Sequence, residues 1–156
     1  VLDVNKRISE GDLRSDLEIT GKDELDDALG KLLPPSGMLG VDRAATLLES
    51  LAVRHGIDPR FVYWWAGKAT SDQTIQYDSS DEGLSCLAEL LAEVNGEMCL
   101  VASDERALPW PIWTLQASEL IPLLGELPFF EYFVVLDDGA TLLFDTHHNT
   151  LVVSRE

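Results

Sequence analysis

The stretch FFEYFVVLDDGATLLFDTHHNTLVVS, residues 129–154, decides the fold class, because it reads as three short strands joined by two tight turns. Asp138-Gly139 has the residue types of a two-residue type I′ turn, in which both central positions need positive φ. That turn pairs Leu136 with Thr141, Val135 with Leu142 and Phe133 with Phe144. Strand side chains alternate, so Phe129, Phe133, Val135, Leu142 and Phe144 share one face, with Glu131 the single intruder. The other face carries Phe130, Tyr132, Val134, Leu136, Thr141, Leu143 and Asp145. A second turn centred on His148-Asn149 adds Leu151 and Val153 to the first face, which is expected beneath the helices. The second face, with Tyr132, Thr141, Asp145, Thr150 and Ser154, is mixed enough to lie partly open to solvent or to a partner.

Upstream of this meander, residues 97–102 form a continuous apolar strand of the kind found inside a sheet. Ser79 and Glu82 make a capping box ahead of Leu84, Leu87, Ala88, Leu91 and Val94, and Asn95-Gly96 stops that helix. Residues 73–77 alternate as a short edge strand. A helix follows Gly40, with Val41, Ala44, Ala45, Leu48, Leu51 and Ala52 on one side and Gly56 at its end. An earlier helix, capped by Thr20, carries Asp23 and Glu24 in its first turn and Leu25, Ala28, Leu29, Leu32 and Leu33 at helical spacing. Pro34-Pro35 ends it. A short helix over about 117–124 tolerates Pro122 only in or near its first turn. Residues 103–114 read as a loop bearing Asp104-Glu105-Arg106 and then Pro109-Trp110-Pro111-Ile112-Trp113. The aromatic run Phe61-Val62-Tyr63-Trp64-Trp65 reads first as core. Helices fall early and strands late, which predicts an α+β fold: N-terminal helices packed on one face of an antiparallel sheet that includes a C-terminal three-stranded meander. One domain is expected over residues 1–156, with residues 1–20 as a loosely packed N-terminal extension.

The chain has 156 residues, 46% of them hydrophobic, enough for one domain with its own core. Charge is the outlying property: 28 acidic residues against 11 basic ones give a net charge of −17. A nucleic-acid backbone needs a basic footprint, so nucleic acid is excluded as a partner. Cys86 and Cys99 lie in apolar contexts and are expected as reduced thiols. No run approaches a membrane span, and Val1-Leu2-Asp3-Val4-Asn5-Lys6 lacks the apolar core of a secretory signal, so no membrane partner and a cytoplasmic location are expected.

Asp145, His147 and His148 are suitable metal donors by type. Consecutive strand residues point oppositely, however, and His55 is the only other histidine, so a structural turn or a partner contact is expected there and no metal. Glu131 stands among Phe129, Phe130, Tyr132 and Phe133, and an apolar setting without a counter-charge raises a carboxyl pKa, a signature of functional acids. A hydroxyl or His147 is available to bond it. Trp110 and Trp113 serve either as cover for the sheet or as an exposed aromatic hot spot. No nucleophile elbow, phosphate-cradling loop, dinucleotide fingerprint or zinc motif occurs, so neither a catalytic residue nor a cofactor is assigned. From residue 107 onward Glu119, Glu126, Glu131, Asp137, Asp138, Asp145 and Glu156 face the lone base Arg155, a field that speeds capture of a basic partner.

The segment from Phe129 to Val135, with Leu142-Leu143-Phe144-Asp145-Thr146-His147-His148-Asn149 after the hairpin, resembles a motif of small acidic bacterial proteins that share a Phe-Glu-Tyr strand and an acidic residue before a His-His pair. In size and charge the chain also resembles the immunity proteins of bacterial polymorphic-toxin systems. The sequence hallmarks of the immunity superfamily related to yeast cell-wall regulators are absent. The resemblance implies a non-enzymatic protein that masks the active site of a cognate, basic toxin domain. Trp110, Trp113, Tyr132, Asp137, Asp138, Asp145, His147 and His148 are then its partner-binding residues. Two other readings stand beside it: a small enzyme or ligand-binding protein using Glu131 with His147 and His148, and an adaptor subunit of a larger complex.

Overall fold

The computed structural model describes residue 27 and residues 29–32, 37–67, 72–103 and 108–156. The N-terminal extension, the Thr20 cap with Asp23 and Glu24, the Pro34-Pro35 stop and Asp104-Glu105-Arg106 lie outside the described residues. In chain order the elements are α1 (Val41–His55), β1 (Gln73–Gln76), α2 (Ser80–Leu90), β2 (Glu97–Val101), β3 (Ile112–Gln116), α3 (Ala117–Gly125), β4 (Tyr132–Leu136), β5 (Thr141–Thr146) and β6 (Thr150–Arg155).

Local chemistry sets several boundaries where the sequence places them. Gly56 ends α1 in the left-handed region, φ 64° and ψ 39°, which glycine enters without a Cβ clash. The Ser79 hydroxyl accepts from the Glu82 N–H at 3.2 Å, and Glu82 reaches back to the Asp78 N–H, closing the start of α2. Three boundaries differ from expectation. The α2 helix ends at Leu90, before Val94 and the Asn95-Gly96 stop. Ile112–Gln116 is a strand rather than the end of a loop, because its backbone pairs with β2 from Glu97↔Gln116 to Val101↔Ile112. Pro122 sits in the second turn of α3, not the first. The carbonyl that loses its N–H partner there is that of Ser118, whose residue is exposed. The start of α3 is fastened by the Gln116 N–H donating to Glu119 Oε1 at 2.8 Å.

The strands form one six-stranded sheet in the order β1-β6-β5-β4-β2-β3, every neighbouring pair antiparallel. The C-terminal meander is present, and its first hairpin has the expected register, Leu136↔Thr141 through Phe133↔Phe144. The second hairpin does not. Thr146 pairs with Thr150 across a turn of residues 147–149, with Asn149 at φ 56°, instead of a two-residue turn at 148–149. One residue of loop length moves every β6 side chain to the opposite face. Val152 therefore joins Phe133, Val135, Leu142 and Phe144, while Leu151 and Val153 join Tyr132, Val134 and Leu143.

Both faces are covered, which corrects the expectation of helices on one face only. Ala44, Leu48, Leu51 and Ala52 of α1 pack on the Phe133 face, together with Trp64 and Trp110. Leu87 of α2, Leu120, Leu123 and Leu124 of α3 and Leu29 of the helical stretch before α1 pack on the Tyr132 face. The face read as half-open is thus interior, and β4, whose five residues are all buried, is apolar without alternation for that reason. Trp110, Trp113 and Tyr132 are 3%, 2% and 1% exposed and Asp145 is fully buried, so these four expected partner contacts are corrected to core. Among the described residues no helix is long and apolar enough to cross a membrane.

Gly83 shows how closely α2 lies on the sheet: a Cβ built there would stand 2.7 Å from Tyr77 Cε1. Alanine is the better helix former by about 1 kcal/mol, but overpacking a close interior contact costs about 1–3 kcal/mol. Gly83→Ala is therefore expected to lower the urea midpoint. A raised midpoint would show that the Tyr77 ring yields at no cost.

Candidate functional site

The residues singled out in the meander separate into two turns at opposite ends of β5. Its six residues, at roughly 3.4 Å per residue, put those turns about 20 Å apart, too far to serve one small site.

At the β4–β5 turn, Asp137 and Asp138 are exposed, both at φ 54°. The Ala140 N–H donates to the Asp137 carbonyl at 3.0 Å, and the Thr141 hydroxyl donates to Asp137 Oδ2 at 3.0 Å. The C-terminal turn of α1 clamps this hairpin. Arg54 Nη1 donates to the Asp138 carbonyl at 2.9 Å, and its Nε and Nη2 hold both carboxylate oxygens of Glu156 at 3.1 and 2.5 Å. This fork lowers the Glu156 pKa and raises that of Arg54, hydrogen bonding being the leading cause in each case. His55, buried beside it, bonds Gly139 and Ser154 at 2.8 Å each. A carbonyl only accepts, so Nε2 carries the hydrogen toward Gly139, and in the neutral ring Nδ1 accepts from the Ser154 hydroxyl. The acidic turn is therefore a rigid feature anchored on α1.

The β5–β6 turn holds the more elaborate constellation. Glu131 Oε1 accepts from the His147 backbone N–H at 2.8 Å and from His147 Nδ1 at 2.5 Å. The carboxylate side chain is 10% exposed and the imidazole 28%. Tyr63 lies 4.7 Å from the His147 ring and stacks on Trp65 at 5.5 Å with an interplanar angle of 19°. Trp65 approaches His147 at 5.9 Å and meets His148 edge-on at 5.7 Å, and the two imidazoles are 4.1 Å apart. His148 is exposed. The bond between Glu131 and His147 is the contact that the sequence offered for that carboxylate. Among the described residues no group of three His, Cys, Asp or Glu side chains is placed to hold a metal ion.

Asp145 sits one strand residue before this turn but faces inward, where Tyr77 Oη donates to Oδ1 and Tyr132 Oη to Oδ2, each at 2.7 Å. Sequence reading missed Arg54 and His55, whose importance comes from side chains about a hundred residues distant. It also left Tyr63 and Trp65 inside a general aromatic core. The structure separates them by a 3₁₀ turn at Trp64–Ala66, which buries Trp64 and leaves Tyr63 and Trp65 half-buried. Cys86 and Cys99 are free and half-buried, and desolvation chiefly holds both thiols above their usual range, away from the reactive thiolate.

Comparison with protein-family models, with curated proteins and with solved structures finds no match to this chain.

Proposed function

We propose that this chain is a cytoplasmic, non-enzymatic binding protein that captures a basic protein partner, in the manner of an immunity protein masking a toxin domain. One observation carries the reading: the charge is sided. From residue 72 to 103 and from 108 to 154 the chain contains no Lys or Arg. The α2–α3 layer and its flanks expose Asp78, Asp81, Glu82, Glu89, Glu93, Glu97, Glu119 and Glu126. Of the described bases, Arg43, Arg54 and Arg60 lie on α1 and the loop that follows it, Lys31 on the helical stretch before α1 and Arg155 at the end of β6, so α2 and α3 themselves carry none. Exposed acids without interspersed bases add their fields within a Debye length of about 8 Å at physiological salt. Held on helices seated over a packed sheet, they raise association rates of a basic protein by roughly 10- to 1,000-fold. Asp137 and Asp138 are two further exposed acids at the β4–β5 turn, with Arg54 of α1 beside them.

The test compares the wild-type chain with Glu89→Lys/Glu93→Lys/Glu126→Lys as bait in lysate of the source cell. These three are exposed and outside the Ser79–Glu82 cap, so the fold is retained. The expected result is a stoichiometric basic protein held by the wild type and released by the variant, with association slowed at least about tenfold at low salt. Production of that captured protein in cells should arrest growth, and co-production of the wild-type chain but not the variant should restore it. Retention of the same proteins by both baits, or of no basic protein, overturns the reading.

A further inference from the structure

At the β5–β6 turn the groups needed to receive a planar cation meet. Both hydrogen bonds of Glu131 fall on Oε1, so among the described residues Oε2 keeps its acceptor capacity on a carboxylate nine-tenths buried. A buried carboxylate with an unused oxygen attracts a donor, and a cationic one most strongly. The stacked Tyr63 and Trp65 rings, both half-buried, lie within 6 Å of the His147 ring that Glu131 holds, so that imidazole joins the rings to the carboxylate. Acids rim this end of the sheet. The Tyr77 N–H donates to the Asn149 carbonyl at 3.0 Å, which sets the exposed Asp78 next to the turn, followed by Asp81 and Glu82 at the opening of α2.

From this geometry we infer a second recognition element: Glu131 Oε2 with the Tyr63–Trp65 stack is a receptor for the guanidinium of an arginine presented by the basic protein partner. Guanidinium is the cation that fits. Its plane lies on an aromatic face while its edge donates to a carboxylate, and it is more weakly hydrated than the compact lysine ammonium. His147 acts as a positioning residue, since its backbone and ring together fix the Glu131 carboxylate. The inference rests on the basic-partner reading above but adds to it a contact that long-range charge does not require.

The test needs no partner protein. Heteronuclear NMR spectra of the full chain are recorded while Nα-acetyl-arginine N-methylamide is added, and again with the citrulline counterpart, which has the same shape and no charge. The expected result is saturable shifts of the Trp65 indole N–H and of the 147–148 amides, with arginine bound roughly five-fold or more tightly than citrulline. Glu131→Gln keeps an acceptor for His147 and should remove the preference for arginine, and Trp65→Leu should weaken binding of both probes. Equal response to both probes overturns the inference, as do arginine shifts confined to the α2–α3 acids. If the acidic-layer variant loses its partner while Trp65 ignores arginine, this inference fails alone. A Trp65 response to arginine with no basic protein captured from lysate removes the partner reading and leaves the guanidinium site.

Discussion

Asp145→Ala is expected to lower stability by on the order of 4 kcal/mol, because two interior phenol hydroxyls lose their acceptor at roughly 1–3 kcal/mol each. Asp145 is fully buried and each of its oxygens takes a 2.7 Å bond, from Tyr77 at the end of β1 and from Tyr132 on β4. The carboxyl group thereby ties the edge of the sheet to its middle across β5 and β6. For a chain of this size, about 2–4 °C of melting temperature accompanies each kcal/mol, so a fall on the order of 10 °C should appear by calorimetry. Asp145→Asn retains one oxygen, and its amide can donate to the second hydroxyl, so it should recover about half of the loss. A melting temperature within about 2 °C of wild type for the alanine variant would show that the two tyrosines find other acceptors without cost. A charge-reversal experiment that included Asp145 would therefore read unfolding, not partner recognition.

The two neighbouring tryptophans are expected to differ several-fold in what they contribute to stability. Trp64 is 1% exposed and packs against Trp110 at 5.2 Å and Phe133 at 5.7 Å, so Trp64→Ala should cost about 3–5 kcal/mol through lost burial and an interior cavity. Its Nε1 is buried with no hydrogen-bond partner among the described residues, so Trp64→Phe sheds an unmet donor along with volume and should cost only about 1–2 kcal/mol. Trp65 is half-buried, and Trp65→Ala should cost about 1 kcal/mol while removing the stacking surface beside Tyr63 and His148. Urea unfolding of the three variants separates the cases. Equal losses for Trp64→Ala and Trp65→Ala would mean that both rings are core and would remove the aromatic part of the guanidinium site.

These results bear on how the two ends of the meander divide their work. The β4–β5 turn is held by backbone and side-chain bonds to α1: Arg54 to Asp138 and Glu156, His55 to Gly139 and Ser154. Gly139 has φ 96°, and a Cβ there would stand within van der Waals overlap of Arg54 Nη1, so the clamp and the turn require one another. The β5–β6 turn is instead lined by rings and one carboxylate whose Oε2 has no hydrogen bond among the described residues, the groups on which the proposed guanidinium site rests.

The sequence by itself determined the features that depend on neighbours within a few residues. The Ser79–Glu82 cap, the Gly56 stop and the Leu136↔Thr141 register follow from hydrogen bonds and φ preferences that act inside a single turn. Tertiary structure decided the rest. Alternation along Phe133, Val135, Leu142 and Phe144 assigns those residues to one face, but it is silent on whether the opposite face is covered. Here α2 and α3 cover it, and Tyr132 and Asp145 become interior. The turn after Thr146 is one residue longer than expected, and with a side-chain period of two that reversed Leu151, Val152 and Val153 together. Glu131 met His147, Tyr63 met His147 and Trp65 met both histidines only because the loop after α1 folds back across the end of the sheet, a long-range placement that no local propensity encodes.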